Sequence, residues 1–332
     1  MTEPDPNHTS KTGISGSKNS VLESKKTVSK SKNGVLNPNS GVNKNLLILH
    51  FTVFIWGFTG ILGQLISISA VNLVWYRVLI ASFSLFLYFK FNKTTFKINR
   101  KTMVKLLLTG ALVGGHWILF FASIKLSTVP VTLVCLSSIT LFTAIFEPII
   151  NKKRISKMEI VAGFLIISGI VLIFKFETQY TKGIIAGLVS AVLASLFAII
   201  NGRQVKHHEA PIIAFYELSG ALLWITIYLF ATSGTAGFRI PKAADLGYLI
   251  LLGTVCTSLA YVAGVSVMRE LSAFRVALIT NLEPVYGIIM AFLFFGDMNK
   301  MSVGFWVGSV IILSTIFLFP VAQKQVAKRR NR

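Results

Sequence analysis

The chain has 332 residues, of which 53% are hydrophobic and only 14% charged, and it carries a formal net charge of +21. Soluble domains hold about 25% charged residues, and surface-to-volume scaling gives a soluble core too few interior places for this much apolar sequence. A soluble domain is thereby excluded. The basic residues lie between long apolar runs rather than in one polar block, so no nucleic-acid partner is expected.

Residues 1–44 are rich in Ser, Lys, Asn, Thr and Gly, with no apolar core before Leu46. The segment lacks the pattern of a signal peptide. It cannot bury enough surface to offset its chain entropy, which predicts a disordered cytoplasmic tail. A membrane helix needs about 20 mostly apolar residues. Ten segments meet that requirement, at 45–67, 71–90, 103–124, 128–150, 159–175, 183–202, 211–231, 246–267, 272–295 and 302–321, before a basic cytoplasmic tail at 322–332. The lipid bilayer is the solvent these spans imply.

Sorting the basic residues sets the orientation. With the N-terminus inside, the inner segments hold 25 Lys and Arg and the outer loops hold 6, while Arg77 and Arg275 fall within spans. Dropping both tails leaves 13 against 6. The excess marks the cytoplasmic side, so both termini are expected there, in a multi-pass protein of the plasma (bacterial inner) membrane. Cys135 and Cys256 sit apart in apolar runs, without the spacing of a disulfide framework or a metal site.

The chain repeats itself. At an offset of 145, Leu126-Ser127 meets Leu271-Ser272, Asn151 meets Gly296 and Gly163 meets Gly308. Nearer the front the offset is about 140, and Trp75-Tyr76-Arg77 meets Phe215-Tyr216-Glu217. The sequence therefore divides into five-helix repeats at 45–175 and 183–321. An odd number of spans makes the second copy enter the membrane from the opposite side. Two inverted halves enclose a site near mid-depth, which rocking exposes to each side in turn.

The Trp56-Gly57 pair, Trp75-Tyr76-Arg77, and the run Asn281-Leu282-Glu283-Pro284-Val285-Tyr286-Gly287 closing with Phe295-Gly296-Asp297 resemble the drug/metabolite transporter superfamily in its EamA-type ten-helix branch. The resemblance covers roughly residues 45–320. It implies an all-α integral membrane fold of two inverted five-helix repeats. The first repeat departs from the pattern: Ile139 stands where the family usually has Pro, Asn151-Lys152 where it has Gly-Glu, and Leu196-Phe197 where a Trp is often seen.

Ionisable groups within a membrane are costly unless paired or wetted, so each is a functional candidate. Glu283, about twelve residues into the ninth span, is the foremost. It precedes Pro284, which removes a backbone hydrogen bond, and shares a face with Tyr286 and Gly287. It could bind an amine or a proton, or serve as a structural carboxylate. Arg77 could attract a carboxylate or snorkel to the interface. Glu217, near the inner end of the seventh span, could be a gate carboxylate or lie at the interface. His116 could shuttle a proton or simply be hydrogen-bonded. Glu147 is expected to pair with the basic turn Lys152-Lys153-Arg154. Trp56, Trp117 and Tyr286 could line an apolar cavity, with Asn281 completing the candidate set, or could pack against other helices. Small pairs such as Gly110/Gly114, Gly183/Gly187, Ala260/Gly264 and Gly304/Gly308 suit helix contacts.

These readings favour a secondary or facilitative carrier of small metabolites or drugs, with a small-molecule substrate, no cofactor and no metal. A homodimer is left open. No Walker-type sequence is present for ATP hydrolysis. The alternatives are a membrane-embedded enzyme, for which the chain shows no HExxH or GxSxG motif, and a receptor or scaffold that transports nothing.

Overall fold

The computed structural model describes residues 38–93, 95–152, 157–296 and 301–330. All regular elements among the described residues are helical. In chain order they are α1 (Pro38–Leu65), α2 (Ala70–Phe91), α3 (Arg100–Leu126), α4 (Val129–Leu136), α5 (Ile139–Asn151), α6 (Lys157–Phe176), α7 (Thr181–Gln204), α8 (Ala210–Ser233), α9 (Ala243–Gly253), α10 (Ala260–Val267), α11 (Ala273–Thr280), α12 (Leu282–Phe295) and α13 (Val303–Arg330). A π-helical turn, Thr254–Leu259, joins α9 to α10.

Taken end to end, α4 with α5, α9 with α10 and α11 with α12 each make one pass. Eight helical stretches are long and apolar enough to cross a membrane, and the shorter apolar runs Val161–Ile173 and Val303–Phe319 supply the fifth and tenth passes. The protein is thus an all-α integral membrane protein of ten helical passes in two sets of five. Large apolar side chains such as Phe83, Phe164, Leu293 and Val310 stand exposed on its outside, as a lipid-facing surface requires.

The helices reach further than the apolar stretches. Residues 1–37 lie outside the described residues, but 38–44, expected in the tail, form the start of α1. The last helix continues through Arg330, across most of the segment expected as a second tail. The 20-residue rule counts only the part of a helix that lies in hydrocarbon, and a helix can continue beyond it into water.

The packing obeys an internal twofold that relates each pass to the one five later. Passes 2 and 7 meet as α2 and α8, passes 4 and 9 as α4 with α12 and α5 with α11, and passes 5 and 10 as α6 and α13. Some of the remaining contacts come as exchanged pairs. Pass 3 lies on pass 7 as pass 8 lies on pass 2, through α3–α8 and α9–α2. Pass 3 also lies on pass 6, α3 on α7, as Gly264 of pass 8 meets Trp56 of pass 1. Most of the close packing therefore joins one half to the other.

Hydrocarbon gives helices no hydrophobic reason to associate, so close van der Waals approach must do it. Two crossings depend on glycine for that. A Cβ on Gly110 of α3 would stand 2.4 Å from the Glu217 carbonyl of α8, and one on Gly220 would stand 2.4 Å from the Leu107 carbonyl. At the α6–α13 crossing, Gly169 and Gly308 face each other's carbonyl oxygens in the same way.

Passes 4 and 9 are both interrupted at mid-depth, at corresponding places. In pass 4 the Ser137 and Ser138 hydroxyls donate back to the carbonyls of Leu133 (3.2 Å) and Cys135 (2.6 Å), offering the backbone an alternative to the helix. In pass 9 the Asn281 amide donates to the Ala277 carbonyl at 2.8 Å, and Pro284 has no N–H for the carbonyl of Thr280. The helices after the two breaks also end alike, in left-handed residues: Lys152 at φ 54° and Gly296 at φ 65°. The first repeat thus keeps the break without the proline, and the left-handed ending without the glycine. Irregular backbone at this depth is tolerated where protein or a cavity surrounds it.

Candidate functional site

Both breaks border one cavity. Trp56 and Thr59 of α1, Arg77 of α2, His116, Trp117 and Phe120 of α3, Ile139 and Thr143 of α5, Ser195, Phe197 and Asn201 of α7, Tyr261 of α10 and Glu283 of α12 line it. It offers about 100 Å³ to the centres of water-sized atoms. One water needs about 10–15 Å³ in that measure, so several waters or a small solute fit.

The cavity reaches toward one side of the protein. Its lining continues to Met268 and Ala273, at the connection between α10 and α11, which lies on the same side as residue 44. Hydrogen bonds close the opposite side. The Asp245 carboxylate at the start of α9 accepts from the Ser67 backbone N–H (2.9 Å) and hydroxyl (2.6 Å). Lys125 Nζ donates to the Ile66 carbonyl at 2.9 Å. Asn72 donates to the Gly237 carbonyl and accepts from the Arg239 N–H.

Arg77 does not snorkel. It is 1% exposed, with its guanidinium carbon 4.0 Å from the centroid of the Trp117 ring, and its Nε donates to Thr257 Oγ1 at 2.5 Å. The π turn makes that contact available: Thr257 Oγ1 donates in turn to the carbonyl of Leu252, five residues back, at 2.6 Å. The guanidinium atom Nη1 is buried without an acceptor.

Glu283 sits in the first turn of α12, where unpaired backbone N–H groups favour negative charge. It is 6% exposed. It lies within Coulombic reach of Arg77, yet among the described residues no side chain or backbone N–H donates to its carboxylate. A cation-bearing wall and an acid-bearing wall therefore face one another with unused valences, between the rings of Trp56, Trp117 and Phe197.

His116 is held in place: its Nδ1 lies 2.8 Å from the Ser190 hydroxyl and 3.0 Å from the Ser190 carbonyl. Trp56, Arg77, His116, Trp117 and Glu283 thus come together around one cavity. Tyr286, Asn281 and Glu217 stand apart from the lining. Tyr286 packs α12 onto α1, with its ring edge-on to Phe54 at 5.5 Å and its Cβ against Gly57. Asn281 spends its amide on Ala277 and on the Thr140 hydroxyl. Glu217 is fully buried rather than interfacial. Glu147 accepts from the Phe274 N–H at 3.0 Å and so caps α11; of the basic turn expected to pair with it, Lys153 and Arg154 lie outside the described residues, as does Asp297.

Thr257, Asn201 and Tyr261 are polar members of the site absent from the expected set. Asn201 carried a signal, as an amide within an apolar run. Thr257 depends on a π turn, and Tyr261 on its partners, and neither is written in periodicity.

A ten-pass membrane protein with a cavity at broken helices, mostly apolar but holding a few charged groups, has the build of a transporter. The model of the EamA-like transporter family matches residues 43–175 and again 181–320, so the chain belongs to that family and carries its unit twice. A protein of Archaeoglobus fulgidus named an uncharacterized transporter is 21% identical over 297 residues, 85% of this chain and 99% of that protein. The Bacillus subtilis protein YyaM, also named an uncharacterized transporter, is 26% identical over 203 residues, 58% of this chain and 66% of its own length. A crystal structure with a TM-score of 0.63 and 14% identity covers 84% of this chain and 98% of its own, a likeness of fold alone.

Proposed function

We propose that this membrane transporter works by alternating access, carrying a small solute that has an amine or other cationic group for Glu283 and an acceptor group for Arg77. The observation that carries the reading is the pair of unsatisfied charged groups facing one cavity that reaches toward one side of the protein. A buried unpartnered valence costs about 1–3 kcal/mol, so a solute that completes both is favoured over one that completes neither. Aromatic walls add apolar contact.

The basic bias of the loops supports placing the side that the cavity reaches at the cytoplasm of the plasma membrane. The Asp245–Ser67 and Lys125–Ile66 contacts serve as the outer latch. Rocking of the two five-helix halves breaks that latch and closes the inner mouth. No step needs a cofactor. Energy comes from a solute or ion gradient.

The test is flux. Purified protein in sealed vesicles loaded with a metabolite mixture is expected to release a subset of it, and Glu283→Gln to stop that release. Vesicles that release nothing beyond protein-free controls would overturn the carrier reading.

A further inference from the structure

Behind Tyr261, away from the solute cavity, lies a second carboxylate. Glu217 of α8 is 0% exposed. Its Oε2 accepts from the Tyr261 hydroxyl at 2.7 Å and from the Asn201 amide at 3.0 Å, and the same amide donates to the tyrosine oxygen at 3.1 Å. Two acceptors of this closed triangle are left over, since Glu217 Oε1 and Asn201 Oδ1 are buried without a donor.

A carboxylate has acceptors only, whereas a carboxylic acid also carries one O–H donor. Tying α7, α8 and α10 together uses only Oε2; as a carboxylate oxygen, Oε1 adds nothing to that tie and is left without a donor. Among the described residues no cation supplies one. Of the elements against α8, α10 presents Tyr261 itself. Arg77 of α2 is directed at Thr257 and the Trp117 ring and makes no bond to Glu217 among the described residues, and His116 of α3 is bonded to Ser190. Arg203 of α7 is bonded to Asn151, and Lys90 and Lys105 are exposed at the ends of α2 and α3.

We propose that Glu217, with Tyr261 and Asn201, is a proton-carrying site of the protein, distinct from the solute-facing Glu283. Tyr261 and Asn201 both line the cavity, so they stand between Glu217 and cavity water. In the loaded form the Glu217 carboxyl holds the proton. On release its O–H bond breaks, an O–H bond forms on a cavity water, and the carboxylate keeps both donors on Oε2. Reloading is the reverse, and no oxidant, reductant or metal takes part. All three residues belong to the second half, while Arg77 and Trp117 belong to the first, so rocking of the halves changes what this site faces. Its use as the coupling ion site rests on the carrier reading above; its protonation does not.

Infrared difference spectra of the full-length protein in lipid, recorded through a pH titration, test the site without any solute. The expected result is a protonated carboxylic-acid carbonyl band that is lost in Glu217→Gln and retained in Glu283→Gln. Tyr261→Phe should keep that band and move its frequency, because one hydrogen bond to the acid is gone. A titration identical in wild type and Glu217→Gln would overturn the proposal, as would a band that responds to sodium at fixed pH instead of to pH. In vesicles, proton movement on adding the metabolite mixture, read by an internal pH dye, should be absent in Glu217→Gln. Proton movement unchanged in that variant would overturn the coupling role. If wild type moves no solute at all, the carrier reading fails while the infrared result still decides the site.

Discussion

Glu283 and Glu217 are both buried acids inside apolar helices, yet their surroundings differ in kind. Glu283 stands at a helix break, with no donor to its carboxylate among the described residues and an arginine lining the same cavity. Glu217 lies within a helix, with two donors on one oxygen and, among the described residues, no donor on the other and no cation bonded to it. The first arrangement leaves room for something that comes and goes with the solute. The second is closed to a solute and leaves a place only for a proton. Burial alone does not separate these roles; the unused valences do.

Breaking the first arrangement should have the largest effect. Glu283→Gln removes a charge-assisted contact worth about 1.5–3 kcal/mol, so solute flux at low concentration should fall roughly 10- to 150-fold; flux within a factor of two of wild type would remove Glu283 from the site. Arg77→Lys keeps the charge but loses the guanidinium's contact over the Trp117 ring, worth about 0.5–2 kcal/mol, and should lower flux roughly 2- to 30-fold. Thermal unfolding in detergent would show whether that loss is one of folding instead. Tyr261→Phe sharpens the contrast from the other side. It takes one hydrogen bond from Glu217, so stability should drop by about 1 kcal/mol, read from thermal unfolding in detergent.

Much of this was legible in the sequence. Ten passes follow from the length of the apolar runs, and the 145-residue offset foretold two halves, which the exchanged pairs of helix contacts bear out. Glu283 was recognisable because an acid before proline in an apolar span has few structural excuses. Arg77 was visible, but not its fate: the choice between snorkelling and burial is made by Thr257 and Trp117, 180 and 40 residues away in sequence. Tyr286 looked like a site residue because it shares a helix face with Glu283, but α1 occupies that face through Gly57. The break in pass 4 was hidden, since two serines announce it far more quietly than the proline of pass 9. Asn201 and Tyr261 were missed because their role depends on a triangle closed across three helices.

The most direct measurement of the central claim is the side from which mid-depth can be reached. Ser195 lines the cavity, and a Ser195→Cys protein in sealed vesicles can be treated with a membrane-impermeant thiol reagent from either face. Cys135 and Cys256, both buried, provide the background to subtract. Alternating access predicts labelling from the N-terminal side in that protein, and added labelling from the opposite side once Asp245→Asn weakens the outer latch. Labelling from one side alone, unchanged by the latch substitution, would contradict it.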